Sequence, residues 1–138
     1  MPEHLEMGEH PNAAFAREAF DAMARGDSAW LEAHMHPDVV FHQGGRFPTA
    51  GTYASRDAVF GHMMEFFALV DFSMKIVVHD IAATDDHAVS LVRVSVDYQG
   101  RHLEFDEAHV WHIRDGVATE MWAVPKDPYE VDAFFDAA

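Results

Sequence analysis

In the stretch FDEAHVWHIRDG, residues 105 to 116, an acid and an imidazole stand two residues apart within an otherwise apolar alternation. Strand geometry sends successive side chains to opposite faces, so Phe105, Glu107, His109, Trp111 and Ile113 share one side. A carboxylate and an imidazole on an apolar face suit proton transfer. A histidine with an unperturbed pKa of about 6.5 needs little tuning for that task at neutral pH, whereas a carboxylate must have its pKa raised.

The elements that must position these residues follow from periodicity. Asn12 is expected to cap a helix in which Phe15, Ala16, Ala19, Phe20 and Met23 recur at helical spacing, ended by Arg25-Gly26. Asp27 caps a short helix holding Trp30, Leu31 and Met35, which Pro37 stops. Val39 to Gln43 is a brief strand followed by a Gly- and Pro-punctuated loop, GGRFPTAG. Ser55 caps a further helix with Val59, Phe60, Met63, Phe66, Phe67 and Val70 as its apolar face. Beyond residue 71 the period falls to two. Residues 72–84, 87–98, 102–114 and 117–124 read as four antiparallel strands with turns at Asp85-Asp86, Gln99-Gly100 and Asp115-Gly116. Asp127-Pro128-Tyr129-Glu130 opens a last short helix with Phe134 and Phe135.

Helices followed by an antiparallel meander predict an α+β fold. The expected architecture is a cone-shaped α+β barrel: a curved antiparallel sheet wrapped around a long helix, with N-terminal helices and a short C-terminal helix. Such a wrapped sheet leaves a hollow for a small ligand. Residues 1–10 are expected to be loosely ordered and residues 11–138 to form a single domain, a reasonable size for 138 residues at 49% hydrophobic content.

Nine Lys and Arg against 24 Asp and Glu give a formal charge of −15, which disfavours nucleic acid and anionic membrane surfaces as partners. With no cysteine, thiolate chemistry is excluded. The start, MPEHLEMGEHP, has no basic and apolar leader pattern, so a cytoplasmic location is expected. His34-Met35-His36 near His42 suggests a metal site, but no third ligand on a shared face can be specified, and neither a metal nor an organic cofactor is expected.

HPDVVFHQGGRFPTAGTYASRDAVFGHM and GRHLEFDEAHVWHIRDGVATEMWAV, in this order of elements, resemble the SnoaL-like branch of the nuclear transport factor 2-like superfamily. That superfamily holds ketosteroid isomerases, polyketide cyclases and limonene-epoxide hydrolases, and the resemblance covers about residues 11 to 135. It implies that His42, nine residues before Gly51, takes the place of the isomerases' general base, and that His109 takes the place of their oxyanion-donor aspartate. The isomerases' tyrosine falls at Ala19 or Phe20, which donate nothing, so a steroid isomerase is not expected. The epoxide hydrolases' arginine is retained as Arg93, but Ser95 and Ala123 replace their aspartates, and Ala123 also departs from the cyclases.

On this fold Phe105, Glu107, His109 and Trp111 are expected to face the hollow together with Leu91, Arg93, Ser95 and Asp97. His42 would abstract a proton and His109 stabilise the enolate, with Glu107 or Arg93 fixing the tautomer or charge of His109. Tyr53, Trp111, Phe20 and Met63 are candidate ligand contacts beside Ser95 and Asp97. The opposite face, with Val92, Val94, Val96, Tyr98, Val110 and Trp122, is expected to pair with a second copy as a homodimer. Two function classes follow. One is a cofactor-independent cyclase or isomerase acting on a small hydrophobic, polyketide-like or enolisable molecule. The other is a non-catalytic protein of the same fold that binds a small ligand or assembles as a dimer, with His109 a hydrogen-bonded structural residue and Arg93 part of a buried ion pair.

Overall fold

Helix α1 (Pro11–Ala24) starts two residues earlier than a cap at Asn12 would allow. Pro11 has no N–H to lose and a fixed φ, which suits the first helical position. His10 therefore becomes the cap, its Nδ1 accepting from the Asn12 amide at 3.0 Å. The Asn12 side chain instead donates to the carbonyls of Thr84 and Asp85, tying α1 to a strand turn. The computed structural model describes residues 9–136, so most of the loosely ordered segment expected at 1–10 lies outside the described residues.

Asp27 caps α2 (Ser28–His34) by accepting from the Trp30 amide at 3.0 Å. This helix ends before the expected stop at Pro37. Met35, two residues before Pro37, is already extended. The chain continues directly into β1 (Met35–Gln43). A strand absent from the sequence reading follows: β2 (Gly51–Ala54), only four residues long, pairs antiparallel with β1 from Val40↔Ala54 to Gln43↔Gly51.

Helix α3 (Arg56–Leu69) is capped by Ser55, whose Oγ accepts from the Ala58 amide at 3.1 Å. Losing such a cap costs about 1 kcal/mol. Ser55→Ala is therefore expected to lower the unfolding free energy by that amount, read as a lower urea midpoint with an unchanged m-value; an unmoved midpoint would show that the cap contributes nothing.

The remaining strands are β3 (Lys75–Ala83), β4 (His87–Tyr98), β5 (Arg101–Arg114) and β6 (Val117–Pro125), and α4 (Pro128–Asp136) closes the described chain. The last helix is capped as its sequence indicates, Asp127 Oδ1 accepting from the Tyr129 and Glu130 amides. Gln99-Gly100 and Asp115-Gly116 have positive φ at both positions, the two-residue hairpin geometry whose twist matches that of the strands.

The meander β3-β4-β5-β6 is antiparallel, but the sheet is mixed, because β1 joins β6 in parallel and gives the order β2-β1-β6-β5-β4-β3. The expected barrel is not closed. The two outermost strands, β2 and β3, do not pair with each other, and what forms is a curved open sheet with helices against its concave side. Its core holds Phe15, Ala16 and Ala19 of α1, Val59 of α3, Val39 and Phe41 of β1, and Val92, Val94 and Val96 of β4.

Candidate functional site

Register decides which residues share the concave face. The two-residue turn at Gln99-Gly100 sets Tyr98 opposite Arg101, and the pairs that follow include Val94↔Phe105, Val92↔Glu107, Ser90↔His109 and Ala88↔Trp111. Opposed residues project to the same side of a sheet. Glu107, His109 and Trp111 are thus accompanied on the concave face by even-numbered residues of β4, and the odd-numbered ones point away. On the far side of β5, His109 opposes Ala123 and Trp111 opposes Met121, which in turn lies beside Phe41.

This register corrects three expectations. Arg93, Ser95 and Asp97 do not face the hollow with Glu107 and His109. They lie on the convex face, where Arg93 binds Asp106 at 3.1 Å and Asp97 accepts from His102 at 2.6 Å. Asp97 and Glu104 together raise the His102 pKa above its ordinary value. His42 also lies there: opposite Trp122, stacked on its ring, with Nε2 bonded to Glu120 at 2.6 Å. His42 and His109 are separated by the sheet, and the expected pairing of the two across one cavity does not form. The expected apolar convex face is also corrected, since Val92, Val94 and Val96 are buried in the core while Val110 and Trp122 remain on the convex side.

A carboxylate–imidazole pair is left on the concave face. His109 Nε2 lies 2.7 Å from Glu107 Oε1, with side chains 15% and 8% exposed. With the carboxylate accepting from Nε2–H, the tautomer is fixed and Nδ1 carries the lone pair. The other carboxylate oxygen faces the Gln43 amide at 3.5 Å, and Gln43 also reaches the Gly44 carbonyl at 3.3 Å. Phe20 packs edge-on against His109 at 5.3 Å and against Trp111 at 5.7 Å. The indole N–H of Trp111 donates to the fully buried Ser90 hydroxyl.

Glu107, His109 and Gln43 line a cavity of about 110 Å³ with His34, His62 and an otherwise apolar wall that includes Phe41, Met63, Phe105 and Trp111. A wider cleft of about 440 Å³ adjoins it, and Met23, Phe67, Met74 and Ile76 line both. Of the expected ligand contacts, Trp111 and Met63 line the cavity, Phe20 lines the adjoining cleft, and Tyr53 stands behind the wall with its hydroxyl donating to the Thr49 carbonyl.

Three polar lining residues escaped the sequence reading, among them His34, whose Nδ1 lies 2.7 Å from the Trp30 carbonyl. Gln43 has the period-two signal, two residues after Phe41 on the same side of β1. His62 has the helical one, three residues after Val59 and four before Phe66. Only 5% of His62 is exposed, and burial lowers its pKa to about 4 against weaker opposing effects of the Glu107 carboxylate and the Thr49 backbone. Among the described residues no group of three histidines or carboxylates is placed to hold a metal, and no helix is long and apolar enough to cross a membrane.

Comparison with known proteins places residues 16–121 within the SnoaL-like domain family. An uncharacterised protein of Mycobacterium tuberculosis is 28% identical over 120 residues, spanning 86% of this chain and 92% of the relative. An NTF2-like protein of unknown function from Burkholderia pseudomallei superimposes with a TM-score of 0.83 at 21% identity, covering 94% of this chain and all of its own. IdmH, a candidate polyketide cyclase from Streptomyces antibioticus, gives 0.73 at 22% identity over 91% of this chain and 96% of its own.

Proposed function

We propose, for a chain that belongs to the SnoaL-like domain family, a cofactor-independent acid–base enzyme that enolises a small hydrophobic carbonyl compound, as a cyclase or an isomerase of polyketide-like substrates does. The observation that carries this reading is the Glu107–His109 pair at 2.7 Å, enclosed in an apolar cavity. His109 Nδ1 takes the proton from the carbon beside the carbonyl. Glu107 keeps the ring oriented and offsets the charge of the imidazolium that results. A general base must be within hydrogen-bond reach of its proton and correctly oriented, and such a base contributes about 10²- to 10⁴-fold. The Gln43 amide, held only by the long contacts to Gly44 and Glu107, is free to donate to the developing enolate oxygen. The His109 imidazolium then returns the proton, either to another carbon of the enolate or to the alkoxide oxygen formed when the enolate carbon attacks a second carbonyl of the same molecule.

The test is solvent deuterium exchange. Incubated in D₂O with 2-tetralone or a linear β-diketone, the protein is expected to speed incorporation at the activated carbon above the buffer rate. If both compounds bind and neither exchanges faster than in buffer, the protein is a ligand carrier of the same fold.

Homodimerisation through the convex face belongs to the same proposal. Val77, Val89, Leu91 and Val124 are exposed large apolar residues there, from 36% to 65% accessible. Sedimentation is expected to give twice the 15.5 kDa chain mass; a single species at 15.5 kDa would exclude the dimer.

A further inference from the structure

His62 is the one buried histidine of the described residues, and it lines the cavity without belonging to the Glu107–His109 pair. Its Nδ1 is buried and has no hydrogen-bond partner among the described residues. An unpartnered buried polar atom is destabilising, and native proteins leave few of them, so this one requires an explanation.

The rings around it supply no partner, and of Thr49, whose backbone acts on the imidazole, the hydroxyl is itself buried and unpartnered. Phe41 lies at 5.1 Å and the Tyr53 ring at 4.4 Å, and the Tyr53 hydroxyl is committed to the Thr49 carbonyl. His62 lines the cavity, whose polar groups are few and include the Glu107 carboxylate, near enough to influence the imidazole.

We infer that His62 is a ligand-recognition residue, which hydrogen-bonds a hydroxyl group of an uncharged, largely apolar phenol or enol seated in the cavity. The assignment rests on the reading of this cavity as a substrate site, and it narrows the substrate from any enolisable apolar molecule to one that bears a hydroxyl. A neutral imidazole has one N–H and one lone pair, and a hydroxyl satisfies either, whereas an ether satisfies only the N–H. Burial disfavours the positive charge on His62 that a carboxylate ligand would need. The cavity also contains Glu107, which opposes a second buried anion. A ligand that is apolar apart from a hydroxyl meets both conditions.

The experiment uses the whole chain and three probes of one shape: 2-naphthol, 2-methoxynaphthalene and naphthalene, titrated calorimetrically. A hydrogen bond contributes about 0.5–1.5 kcal/mol net, so 2-naphthol is expected to bind about 2- to 10-fold tighter than either of the others. That preference is expected to vanish in His62→Phe and to persist in part in His62→Gln. In histidine-selective ¹⁵N spectra of the wild-type protein, the His62 ring resonances are expected to move with 2-naphthol and stay still with naphthalene, a readout that needs no variant to fold. If all three probes bind equally, or the preference survives in a folded His62→Phe, the His62 assignment is wrong and the cavity still stands as a binding site. If none of the three binds, the substrate-site reading fails and His62 with it.

Discussion

Between pH 6.5 and pH 4 the protein is expected to lose about 3 kcal/mol of stability through His62 alone. In the unfolded chain this histidine takes up its proton near pH 6.5; in the fold it does so only at about 4. Over the interval between the two values the unfolded state binds more protons, so stability rises with pH. The contribution is complete above pH 6.5 and falls away as the pH drops toward 4. At about 1.4 kcal/mol per pH unit, the gap corresponds to about 3 kcal/mol. Carboxylates titrate in the same range, so the measurement is a difference. Urea unfolding of the wild-type protein and His62→Gln, followed from pH 7 to pH 4, should show the wild-type stability falling by that amount more than the variant's. Parallel curves would mean that the buried imidazole is no harder to protonate than a free one.

His109→Ala is expected to reduce enzyme-dependent deuterium exchange by about 10²- to 10⁴-fold, the range for loss of a positioned general base. Glu107→Gln keeps an acceptor for Nε2–H but removes the charge that stabilises the imidazolium, so its rate should lie between wild type and His109→Ala. Arg93→Ala and His42→Phe are expected to exchange at the wild-type rate, because both residues lie beyond the sheet from the cavity. Loss of exchange in His42→Phe, with His109→Ala still active, would move the chemistry to the convex face and refute the proposed pair.

Why Arg93 was misplaced from sequence, and Glu107 was not, comes down to the information in a turn. Alternation within one strand is visible in a single sequence, and it correctly put Glu107 and His109 on one side of β5. Which residues of β4 join them depends on register. The two residues of Gln99-Gly100 fix the pair Tyr98↔Arg101, and with it Val92↔Glu107. That turn was legible, and counting outward from it would have placed Arg93, Ser95 and Asp97 on the opposite face. No such count exists for His42, because β1 meets β6 in parallel across a long stretch of chain and no turn sets their alignment. Val39 and Phe41 on one side of β1, and Val40 and His42 on the other, offered two faces with nearly equal claims to burial. The register shift between His112 and Ile113, which alters the phase of β5 against β6, has no signature in the residue types there. Helices were easier to read, since Asp27, Ser55 and Asp127 announce starts that the backbone amides confirm. His62 was missed because a polar residue inside an apolar stripe is readily assigned to the solvent side, although its spacing from Val59 and Phe66 matches the core face.

The alternation of β5 also bears on how such a protein can change over evolutionary time. Its odd positions carry the cavity pair and its even positions, among them Asp106 and Val110, serve the opposite surface. Point substitutions can therefore drift along one surface while the other is held, so ligand preference and surface character can diversify separately on one scaffold. A deletion or insertion of a single residue between the turns at Gly100 and Gly116 has no such freedom. It exchanges the two surfaces beyond the lesion and sends His109 into solvent. Among descendants of this chain, length in that strand should be far less variable than composition.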